Sequence, residues 1–102
     1  MAFKIQANPT FKINVAIPIP GEAAQKVKFT FRHMRKSAYK EWFSQITAEN
    51  ELESMDAVIE GWDAETAYSK DALAEMIDAL PGAGAAIFKA YIGELHGAER
   101  KN

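Results

Sequence analysis

The apolar residues of this chain change their spacing near residue 33, from every second position to every third or fourth, so strands must precede helices. Phe11, Ile13, Val15 and Ile17 alternate with Lys12, Asn14 and Ala16, and Val27, Phe29 and Phe31 alternate with Lys26, Lys28, Thr30 and Arg32. Each run places apolar side chains on one face of a strand and mostly polar ones on the other. Pro18 and Pro20 lack amide donors, so the first strand is expected to end near Ile17, and Pro20-Gly21 suits the middle of a type II turn. The two runs should pair as an antiparallel hairpin with a long loop. Phe3, Ile5 and Ala7 repeat the alternation and admit a third short strand near the terminus.

Beyond residue 33 four helices are expected. Tyr39, Trp42, Phe43 and Ile46 form one stripe of a helix over about 35–47. Asn50 followed by Glu53 has the spacing of a capping box, opening a second helix lined by Leu52, Met55, Val58, Ile59 and Trp62, with Gly61 available for a left-handed exit. Ser69 is a natural N-cap for a third helix that buries Leu73, Met76, Ile77 and Leu80, with Asp71 in its first turn. Pro81 then starts a fourth, with Ile87, Phe88, Tyr91, Ile92 and Leu95 on its apolar side up to about His96. A lone hairpin with one apolar face is unstable in water, so the helices must cover it. The fold class is α+β: a single domain over 1–102, with a hairpin region at 1–33, a helical region at 34–97 and a polar tail at 98–102.

Composition bears on function mainly by exclusion. At 102 residues, 48% hydrophobic and 25% charged, the chain belongs with ordinary globular domains. It has no cysteine, which removes disulfides, thiolate metal sites and a Cys nucleophile. Met1-Ala2-Phe3-Lys4 lacks the apolar core of a signal peptide, and no stretch approaches the roughly 20 apolar residues that span a bilayer, so a soluble, unexported protein is expected. The two histidines, His33 and His96, lie far apart, one in a basic run and one in a last helical turn. The Gly82-Ala83-Gly84 run lacks the Lys-Ser/Thr of a phosphate loop and follows a helix rather than a strand. No metal, cofactor or catalytic residue is assigned.

Charge is distributed unevenly. Residues 1–40 carry eight Lys/Arg against Glu22 alone, whereas residues 41–78 carry eleven acids against Lys70 alone. The overall charge of −2 therefore conceals a basic front and an acidic middle, an asymmetry that bears on association. Lys26, Lys28, Arg32, Arg35 and Lys36 on one side, and Glu53, Asp56 and Glu60 on the other, are the candidate protein-contact residues. Nucleic acid is the competing partner, since Phe29 and Phe31 lie among the cations. The alternation, however, sends the rings and the charges to opposite faces, and a single-strand platform needs both on one surface. Trp62 reads as a core residue in preference to an interface anchor.

Several phrases in order carry a family resemblance: Asn8 to Gly21 (NPTFKINVAIPIPG), Phe29 to His33 (FTFRH), Glu60 to Asp63 (EGWD), Leu80 to Ala83 (LPGA), Ile87 to Tyr91 (IFKAY) and the closing Arg100-Lys101-Asn102. Across essentially the whole chain this resembles the small tail assembly chaperones of long-tailed bacteriophages. The resemblance implies a non-enzymatic protein of the host bacterial cytoplasm that holds the tape measure protein soluble and helps recruit major tail tube subunits. It implies absence from the finished virion, and leaves self-association open. It carries no catalytic or binding residue to transfer. The family also commonly makes a longer product by ribosomal frameshifting, and Lys101-Asn102 after an Arg100 codon ending in A would allow a slippery heptamer. A small structural connector retained in the tail is the alternative from another class.

Overall fold

Residues 2–97 are described by a computed structural model. The two alternating runs pair antiparallel as β1 (Thr10–Ile19) and β2 (Glu22–Arg32), with Phe11 opposite Phe31, Ile13 opposite Phe29 and Val15 opposite Val27. The apolar faces therefore coincide. The connection is a tight turn at Pro20-Gly21 and not a long loop, with Gly21 at φ 79°, as a type II turn requires. Pro18 does not end β1. It sits at a register shift between Ile17 and Ile19, and β1 is an edge strand, where a missing donor costs little.

The third strand comes from another part of the chain than Phe3, Ile5 and Ala7, since residues 2–9 form no strand. It is β3 (Ile59–Asp63), antiparallel to β2 on the side opposite β1. The expected second helix is cut short for this reason: it spans only Glu51–Asp56 and precedes β3. A bulge explains why the residues looked helical. Phe31 pairs with Ile59 and Thr30 with Gly61, so Glu60 is the extra residue, and Ile59 and Trp62, three apart, both turn toward the helices. Gly61 accordingly lies in the strand, not at a left-handed exit; among the described residues only Gly21 and Gly97 have positive φ.

The helices are α1 (Lys36–Ser44), α2 (Glu51–Asp56), α3 (Lys70–Ala79) and α4 (Ala83–Leu95). Ser69 caps α3 as expected, its Oγ accepting from Ala72 N at 3.0 Å. Asn50 does not form the capping box. Its Oδ1 accepts from Thr47 N (2.8 Å) and Ser54 Oγ (3.1 Å) while its Nδ2 donates to the Gln45 carbonyl (2.8 Å), so it fastens the loop between α1 and α2. Gly97 at φ 72° follows the end of α4, the usual left-handed stop.

All four helices serve the apolar side of the sheet. α4 lies along β1, α3 packs on α2 and α4, and α2 reaches β3. The N-terminus of α4 comes so near β1 that a Cβ on Gly82 would lie 3.2 Å from Pro18 Cγ. Val15, Ile17, Phe29 and Phe31 from the hairpin meet Met55, Val58, Ile59, Leu73, Ala83, Ile87 and Tyr91 in one core. Tyr91 fastens its two layers: its ring lies 5.0 Å from that of Phe31 and its hydroxyl donates to the Arg32 carbonyl at 2.8 Å. α1 is attached by Trp42, which packs on Phe88 and Tyr91 and donates Nε1 to the Ser54 carbonyl at 3.0 Å.

Candidate protein-contact surfaces

Because the helices all take one face of the sheet, the other is open. Lys12, Asn14, Ala16, Lys26 and Lys28 are all exposed there. Lys26 and Lys28 make no ion pair among the described residues. Arg32 does: its Nε donates to Glu60 Oε1 at 2.8 Å and its Nη1 to the Ala57 carbonyl at 3.2 Å, which ties β2 to the bulge in β3. Two of the eight candidate residues thus answer each other within one chain. Phe29 and Phe31 are fully buried, so the cationic face has no stacking rings from β2.

Arg35 and Lys36 are exposed on a different element, as the N-cap and first residue of α1. Cations there oppose the helix dipole, at a cost of about 0.3–1 kcal/mol each at low salt, so local helix stability does not account for them. Glu53 and Asp56 belong to α2 and are partly engaged. Glu53 meets Lys70 Nζ at 3.4 Å, and its carboxyl is held below the usual range by a backbone amide and then by Lys70. Asp56 accepts from the Tyr68 hydroxyl at 2.5 Å; burial first, then that carboxylate, pushes the Tyr68 phenol well up.

Two grooves flank α3, and neither was singled out in the sequence. One, of about 340 Å³, runs between α2 and α3 over Leu52, Ala74, Ile77 and Pro81, with Glu49, Glu51 and Asp78 around it. The other, of about 300 Å³, lies between β3 and α3 over Trp62, Met76, Ala79 and Leu80, beside Glu65 and Glu75. The signal was the breadth of the α3 stripe. Leu73 alone fills the core, while Met76, Ile77 and Leu80 stay half-buried and spread over two flanks. Trp62 is therefore both core and groove wall, its ring edge-on to Phe29 and its Nε1 donating to the Thr66 carbonyl at 2.7 Å.

The histidines do not converge. His33 lies beside the N-terminal segment, and His96 turns Nδ1 to the Ile92 carbonyl at 2.9 Å with its ring against Tyr39. Among the described residues no group of three His, Asp or Glu is placed to hold a metal ion, and no helix is long and apolar enough to cross a membrane. The family model described as phage tail assembly chaperone matches residues 1–102, and the chain belongs to that family. Searches of curated proteins and of solved structures returned no match. Membership assigns the protein to tail assembly in the host cell and to partners among the proteins of the tail.

Proposed function

We propose that this chain is a non-enzymatic chaperone that keeps the tape measure protein soluble, helps recruit major tail tube subunits in the host bacterial cytoplasm, and leaves before the virion matures. Self-association belongs to the same reading. The observation that carries it is the pair of apolar grooves along α3, each bordered by carboxylates. An unassembled tape measure is long and helix-rich, and its apolar stripes need cover. A helix laying i, i+3 and i+4 side chains into such a groove, with lysines or arginines on its margins, is the partner that this chemistry suits. The cationic sheet face, with Lys26 and Lys28 unpaired among the described residues, supplies a separate surface for an acidic partner. The closing Arg100-Lys101-Asn102 lies outside the described residues, and reading its codons tests the frameshift: any Lys101 codon other than AAA excludes the slippery heptamer.

Co-expression with the cognate tape measure protein tests the function. Its soluble fraction should rise and the two should co-purify, with Ile77→Asp weakening capture and Lys26→Glu/Lys28→Glu reducing association at low salt. No gain in solubility together with no co-purification would overturn the chaperone reading. If the lysine reversals alone are silent, the charged face serves only solubility.

A further inference from the structure

Phe3 and Ile5 are each 88% exposed, in the segment that precedes β1. Lys4 between them is the only charged side chain in residues 1–9. When the segment is extended, Phe3 and Ile5 share one face and Lys4 takes the other. Two large apolar side chains in water are a place where association would recover burial.

A matching acceptor lies at the far edge of the sheet. Among the described residues β3 pairs with β2 on one side only, so its other edge offers an open ladder. Next to it lies the groove floored by Trp62, Met76 and Leu80. Asp63, Glu65 and Glu75 surround this edge, and none of them is ion-paired among the described residues. Phe3 to Ala7 and β3 are both five residues long.

We propose that residues 3–7 of one copy add as a strand to the free edge of β3 in a second copy, burying Phe3 and Ile5 in the β3–α3 groove and bringing Lys4 to the opposite face beside Asp63. This is strand addition with side-chain pockets on one face. The arm of the same chain is poorly placed to do it. The Pro9 carbonyl accepts from His33 N at 2.9 Å, which holds the root of the arm at the β1 side, and β2 stands between β1 and β3. Donor and acceptor lie on different edges of the molecule, so the contact is head-to-tail. The proposal deepens the self-association in the reading above and fails separately from it, because no tape measure protein enters its test.

The full chain has no cysteine, so single thiols can report the contact. Mixed and oxidised, Ile5→Cys and Ala79→Cys chains should form a mixed disulfide dimer, while Ser37→Cys with Ala79→Cys should not. By sedimentation velocity the native chain should show concentration-dependent species larger than a monomer. Phe3→Ser/Ile5→Ser should be monomeric at the same concentrations and should keep the Tm that the native chain shows at high dilution, because both side chains are exposed in the isolated fold. A native chain that stays monomeric, association that survives the double substitution, or no Ile5–Ala79 cross-link above the control would each overturn the proposal. So would an Ile5→Cys/Ala79→Cys chain that closes on itself at high dilution.

Discussion

Replacing Tyr91 by phenylalanine removes one oxygen from the centre of the molecule and tests how the two layers are held. The ring is fully buried and lies against Phe11, Phe31 and Trp42, and all of that packing survives the substitution. What is lost is the 2.8 Å hydrogen bond to the Arg32 carbonyl. A neutral hydrogen bond contributes about 1 kcal/mol net, and up to about 3 kcal/mol if the acceptor is left dry. In a domain of this size 1 kcal/mol lowers Tm by roughly 4–8 °C. Tyr91→Ala adds the lost ring and should cost about 3–5 kcal/mol, much of the total stability of a small domain. Urea unfolding should show the midpoint falling at constant m for Tyr91→Phe. The pH dependence provides a second reading of the same group. Burial first, and then Tyr39, pushes the Tyr91 phenol up to about 12 from the ordinary 10. Below pH 10 both folded and unfolded forms hold the proton and stability is unaffected. Between about pH 10 and 12 only the unfolded chain releases it, so the native protein loses stability as pH rises, by roughly 3 kcal/mol in full. Tyr91→Phe lacks this loss, and the gap between the two proteins should close and then reverse across that window. Equal stability at pH 7, or parallel curves from pH 9 to 12, would refute the role given to the hydroxyl.

Gly21→Ala should cost about 1–2 kcal/mol by urea unfolding, because φ 79° strains any residue with a Cβ even though a Cβ there meets nothing within 4 Å. Arg32 and Glu60 form a half-exposed pair, so a double-mutant cycle to alanine should give a coupling of about 0.2–1 kcal/mol that shrinks in high salt. No measurable coupling, with Arg32→Ala still destabilising, would mean that the bond to the Ala57 carbonyl, and not the ion pair, holds Arg32 in place.

The hairpin was legible because alternation and burial express the same two-residue period: Phe11, Ile13, Val15 and Ile17 all turn to the helices. Helices α3 and α4 were legible for the corresponding reason, and Ser69 caps as its type suggests, whereas α1 stops at Ser44, leaving Ile46 beyond its end and Phe43 exposed, so that Trp42 carries most of its attachment. The segment after Asn50 was not. A bulge at Glu60 converts a strand period of two into an apparent three, and Val58, Ile59 and Trp62 then mimic a helical stripe continued from Leu52 and Met55. Pro18 misled in the opposite direction, since nothing local tells an edge strand from a central one. Of the candidate contact residues, Arg32 and Glu60 come together through a pairing of β2 with β3 that is invisible without the third strand. The grooves beside α3 are formed by separate elements, and only the width of the α3 stripe hinted at them.

An assembly chaperone and a tail component part company at the end of morphogenesis. Quantitative mass spectrometry of purified particles, set against lysate taken while tails are being built, measures that difference most directly. Abundant chain is expected alongside the tape measure protein in the lysate, with none at stoichiometric level in finished particles. A fixed copy number per virion would contradict it and make the protein a structural connector.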